Sequence, residues 1–171
     1  MKELLLSICV ASIFLAPVAA IAAEASKHWV DENTINNQSI FMLEKARELI
    51  QAMKVKAEEI KVPMVVSVVD AAGDLVALER MDGTLLISLK IAPNKARTAA
   101  RIRLSTEDLA QAAAAGATLF GIHNDPEVVI FGGGIPLVHN GFVVGAVGVS
   151  GGSVEEDVTV AKAGVAAFEK K

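Results

Sequence analysis

The chain has 171 residues, of which 53% are hydrophobic, with 16 basic and 20 acidic side chains and a formal net charge of −4. A net-acidic chain lacks the electrostatic footprint of a nucleic-acid binder, whose affinity comes largely from phosphate contacts. The single cysteine, Cys9, allows no internal disulfide, so a packed core has to hold the fold.

The N-terminus reads as an export signal. Lys2 precedes an apolar run from Leu4 to Val18, and small residues continue through Ala23, with Ala20-Ile21-Ala22 in the A-x-A form of a cleavage site. The run is too short, and too soon followed by Glu24, for a membrane-spanning helix. Residues 1–22 are therefore expected to be a signal peptide that takes Cys9 with it. Residues 23–171 are expected to form one domain, periplasmic or secreted, with no membrane insertion after signal removal.

From about Asn36 to Ile60, apolar residues recur at Ile40, Leu43, Ala46, Ile50, Met53, Ala57 and Ile60, which places them on one helical stripe ended by Pro63. Such a long stripe in a small domain also predicts a homo-oligomer. Met64–Val69 then reads as a strand, with Asp74–Arg80 returning as the second arm of a hairpin. Helical signals resume near Thr84, and Pro93 is expected to kink or split that helix. Ser105, with Asp108 three residues on, opens another helix running to Gly116.

Val128–Phe131, Ile135–His139 and Phe142–Val149 are the next predicted strands, the last two joined by the hairpin dipeptide Asn140-Gly141. Ser153 and Glu156 form a capping box at the start of the final helix. The order α-β-β-α-α-β-β-β-α predicts an α+β domain, a five-stranded, mainly antiparallel sheet flanked by helices.

Eight of the 13 glycines fall between Gly132 and Gly152, which implies close approach of backbone to a neighbouring element or a ligand. Gly148-Val149-Ser150-Gly151-Gly152 matches G-x-S-x-G, but no histidine follows the serine, so an α/β-hydrolase triad is excluded by chain order. Gly132-Gly133-Gly134 lacks the last glycine of a dinucleotide fingerprint, and a strand rather than a helix follows it. His28, His123 and His139 are too far apart in sequence for a zinc motif.

Between Asp82 and Glu107 stand Lys90, Lys95, Arg97, Arg101 and Arg103 with no acid among them. Lys95, Thr98 and Arg101 fall at i, i+3 and i+6, so two cations and a hydroxyl could meet an anionic ligand. A solvated basic face fits the same spacing equally well.

Three motifs, VSVVDAAGDLVALERMDG, IAPNKARTAA and FGGGIPLVHNGFVVGAVGVSGG followed by EEDVTVAKAG, resemble the GlcG/HbpS-like family of haem-binding or haem-degrading domains, which includes the C-terminal domain of PduO-type proteins. The resemblance runs from about Asn36 to Phe168. It implies a profilin- or PAS-like sheet, a homo-oligomer and haem or a related tetrapyrrole as ligand. Carried over by residue, it puts Thr98 where the family's haem-facing oxygen donor would be. For a haem ligand, Lys95 or Arg101 is then expected to pair with propionates, Thr98 or a histidine to approach the iron, and Gly132 to Gly134, with Gly133 and Gly134 in the G-G-x-P motif, to let the backbone close over the ring. His28, ahead of the first helix, is the second candidate iron ligand. Two rival readings stand beside haem binding: an enzyme or accessory acting on haem or on a small organic acid such as glycolate, and a structural or sensor-partner assembly protein with a sensor kinase as partner.

Overall fold

The computed structural model describes residues 43–170, so the expected signal peptide, Ile40 and His28 lie outside the described residues. Helix α1 (Leu43–Glu59) leads to strands β1 (Val65–Asp70) and β2 (Leu75–Arg80). Helices α2 (Ser88–Ile102) and α3 (Thr106–Ala112) follow, then a 3-10 turn at Ile122–Asn124, strands β3 (Gly134–His139) and β4 (Phe142–Ser150), and helix α4 (Val154–Glu169).

Among the described residues the sheet has four strands in the order β2-β1-β4-β3, every neighbouring pair antiparallel. The expected fifth strand is absent: Val128–Phe131 pairs with no strand. Its backbone turns instead to α2, where the Val129 N–H donates to Thr98 Oγ1 at 3.1 Å. An apolar β-branched run can be satisfied by a helix side chain as well as by a neighbouring strand, and periodicity alone does not separate the two.

Strand alternation divides the core between the two faces of the sheet. Val66, Val68, Leu137, Val147 and Val149 point to one face and pack with Leu49, Ile50 and Met53 of α1 and Val160 and Ala161 of α4. Val69 and Ala146 point to the other, where Ala96, Ala99 and Ala100 of α2 meet them. The α2 face is lined by alanines because the helix lies very close to the sheet. A Cβ at Gly148 would collide with the Ala92 carbonyl oxygen and lie 2.6 Å from the Ala96 nitrogen. That is the neighbour the glycine-rich strand was expected to admit.

Pro93 neither splits nor ends α2, which runs unbroken from Ser88 to Ile102. The proline stands in the second turn, where it removes one i→i−4 bond, and alanine packing on the sheet holds the turns on both sides. Other local signals match the backbone closely. Ser105 accepts from the Asp108 N–H, Ser153 and Glu156 close a capping box, and Asn140 (φ 50) and Gly141 (φ 82) make the left-handed turn between β3 and β4.

Candidate functional site

Helix α2 supplies two different polar arrangements, one sealed in the interior and one open to solvent. In the interior, Lys95 is fully buried and its Nζ donates to Asp157 Oδ2 of α4 at 2.6 Å. The Gly152 N–H donates to the other carboxylate oxygen at 3.1 Å, and the Phe131 ring lies 4.8 Å from Lys95 Nζ as a cation–π lid. Burial pulls the Lys95 amine below the usual lysine range and pushes the Asp157 carboxyl up, each opposed by the partner's hydrogen bond and charge.

The expected residues Lys95, Gly133 and Gly134 do come together here, but facing inward. A Cβ at Gly133 would lie 2.8 Å from Lys95 Nζ, and one at Gly134 would strike the Lys95 carbonyl. These glycines make room for the helix and its ion pair. In this arrangement Lys95 is paired with Asp157, and Gly133 and Gly134 stand against Lys95.

Thr98 is also taken up by the protein itself. It is 3% exposed, and its hydroxyl donates to the Glu127 carbonyl at 3.3 Å while accepting the Val129 N–H. Both interactions hold the 127–129 segment against α2. One lone pair of the hydroxyl is left over, so Thr98 anchors a loop and keeps one acceptor position.

The open arrangement lies on the solvent side of α2. A pocket of about 270 Å³ is rimmed by Arg97, Arg101 and Glu127 and lined by Ile102, Ile122 and Val128. The β1–β2 turn fixes the guanidiniums: Asp70 Oδ1 accepts the Ala72 and Asp74 N–H groups, and the turn presents its carbonyls outward. Arg97 Nε donates to Gly73 O at 3.2 Å, and Arg101 Nε to Ala72 O at 2.9 Å. Their Nη1 groups then converge on one carboxylate, Arg97 on Glu127 Oε1 and Arg101 on Oε2, both at 3.3 Å. Asp74 stands 4.0 Å from Arg101.

The acid-free stretch of sequence is thus met by acids from elsewhere. Asp157 takes Lys95, while Glu127 and Asp74 face the arginines. The sequence singled out Arg101, showed Arg97 only within the basic run and Asp157 only within the EEDVTVAKAG motif, and gave no sign of Glu127. Asp125-Pro126 immediately precedes Glu127, and Asp125 Oδ1 caps the turn there by accepting the Glu127 N–H.

His123 is exposed at the 3-10 turn next to Ile122, its ring edge-on to Phe120 with centroids 6.0 Å apart, and His139 is exposed at the β3–β4 hairpin. Ser150, the residue of the G-x-S-x-G match, is buried and donates to the Ser88 hydroxyl at 3.1 Å. No group of three or more histidine, cysteine or acidic residues that could hold a metal occurs among the described residues.

Fold and site together define an α+β domain with a sealed ion pair on one side of α2 and an arginine-rimmed pocket on the other. The chain belongs to the HbpS-like family, described as haem degrading protein HbpS-like, whose model matches residues 41–166. It is 44% identical over 127 residues to an uncharacterised 15.0 kDa protein of Citrobacter freundii from the dhaT-dhaS intergenic region, covering 73% of this chain and 89% of that one. It is 42% identical over 123 residues to the corrinoid adenosyltransferase PduO of the same organism, covering 71% of this chain but only 37% of the enzyme. Among solved structures, the complex of PduOC with haem superimposes with a TM-score of 0.71 at 39% identity, covering 74% of this chain and 94% of that chain.

Proposed function

We propose that this protein binds haem, working as an exported homo-oligomer that holds or senses the tetrapyrrole. The observation that carries the reading is its 39% identity to PduOC, a protein solved as a haem complex, across 94% of that chain. Membership of the HbpS-like family supports it. When bound, haem supplies a redox-active iron, and storage, sensing and breakdown all start from that complex.

The pocket beside α2 fits part of such a ligand. Sites that enclose a whole small molecule run from roughly 300 to 1,000 Å³. At about 270 Å³, this one has room for an edge of the macrocycle and its carboxylates. Exposed Leu119 and Phe120, on the segment that supplies Ile122, offer apolar surface beyond the pocket. For the iron, Thr98 and His28 are the candidates from the sequence, and His123 follows pocket residue Ile122 in the chain.

Hemin added to protein isolated from the exported fraction, with its N-terminus near Ala23, is expected to give a shifted Soret band that saturates near one hemin per chain. No shift at stoichiometric hemin would overturn haem binding. Retention in the cytoplasm with the leader intact would overturn export.

A further inference from the structure

We propose that Glu127 occupies a carboxylate-binding site as an internal stand-in, and that a ligand carboxylate enters the pocket by displacing it between Arg97 and Arg101. The identification of that carboxylate with a haem propionate rests on the haem reading above; the site itself does not.

Three observations converge on this assignment. First, the guanidiniums do not depend on Glu127 for their position, since their Nε groups are held by the Gly73 and Ala72 carbonyls of the β1–β2 turn. Removing the glutamate side chain would leave two aimed cations in place, a pre-organised fork for a carboxylate. Second, the glutamate is loosely held. Both of its bonds are long, at 3.3 Å, its side chain is 55% exposed, and the backbone is anchored separately through Thr98 and Asp125. A surface pair of this kind contributes no more than about 1 kcal/mol, so the side chain can swing out while its loop stays fixed.

Third, charge requires the exchange. With Glu127 in place and Asp74 beside Arg101, the two positive charges are already balanced and a second anion gains little. Once Glu127 rotates into solvent, the incoming carboxylate inherits both arginines and its apolar body meets Ile102, Ile122 and Val128, while Asp125, the other acid of the lining, stays engaged with the Glu127 N–H. The pocket therefore selects an acid with an apolar body over a bare inorganic anion.

The test compares wild type with Glu127→Gln, an isosteric change at an exposed position, and with Arg97→Met/Arg101→Met. Hemin, hemin dimethyl ester and succinate serve as probes, with Soret titration for the first two and thermal melting for the third. Glu127→Gln is expected to bind hemin about fivefold more tightly, the equivalent of one weak surface pair. The ester is expected to bind equally to both proteins, and succinate to raise the melting temperature of Glu127→Gln but not of the double arginine variant.

Equal hemin affinity in wild type and Glu127→Gln, with no succinate effect, overturns the stand-in and leaves haem binding intact. Failure of every variant to take up hemin overturns the haem reading. In that case the succinate arm alone decides: a melting shift in Glu127→Gln upholds a site for small free carboxylates, and no shift rejects it.

Discussion

Lys95 shows what spacing along a helix leaves undecided. Six residues along an α-helix turn through 600°, which leaves Lys95 and Arg101 about 120° apart around α2. One cation therefore points into the core and the other toward solvent. The buried pair follows the energetics of interior charges. For Lys95 and Asp157 alike, burial disfavours the charged form more than the partner restores it. The pair consequently adds little net stability but is costly to break on one side. Lys95→Met, which strands the Asp157 carboxyl, is expected to lower unfolding stability by about 3–5 kcal/mol. Adding Asp157→Asn, which keeps an acceptor for the Gly152 N–H, is expected to recover most of that loss. Urea denaturation of the three proteins measures it, and a Lys95→Met protein as stable as wild type would mean that the pair is not sealed.

At the scale of elements, the position of α2 governs both polar arrangements, and Gly148 governs the position of α2. A side chain there must push the helix away from β4, because the nearest atoms are the backbone of Ala92 and Ala96 rather than a flexible tip. Gly148→Ala is expected to cost roughly 1–3 kcal/mol, the range for overpacking a tight core, read as a lower denaturation midpoint with an unchanged slope. A neutral result would show that the sheet and helix can separate freely.

The legible parts of this architecture were the local ones. The capping box at Ser153, the Asn140-Gly141 turn, the α1 stripe and the glycine-rich β4 each carry their cause within a few residues, so the sequence displays them. Val128–Phe131 was misread because its hydrogen-bond partner is a threonine side chain 31 positions away. The candidate site was hidden in the same way. Asp157 reaches Lys95 across 62 positions and Glu127 reaches Arg97 across 30, and a run of basic residues does not reveal which acids the fold will bring to it.

For the whole molecule, the unexplained surface is apolar. Leu85, Leu86 and Ile87, leading into α2, are 64%, 75% and 58% exposed, and Leu89 in the first turn of the helix extends the patch. Three consecutive exposed aliphatic residues differ from the scattered apolar side chains normal on a monomer, and such patches mark interaction surfaces. The β2–α2 connection that carries them is also tied down. Thr84 is buried and donates to the Met81 carbonyl at 2.8 Å, so the leucines are presented on a fixed loop. Burial of one such side chain against another copy contributes about 1.5–3 kcal/mol, enough for a single charge to shift an assembly equilibrium by tenfold or more. Leu86→Asp is therefore expected to lower the mass seen by light scattering at micromolar concentration toward that of one chain, with the far-UV circular dichroism unchanged. If wild type is itself monomeric under those conditions, self-association is not what covers this patch; if Leu86→Asp assembles as well as wild type, the contact lies elsewhere on the surface.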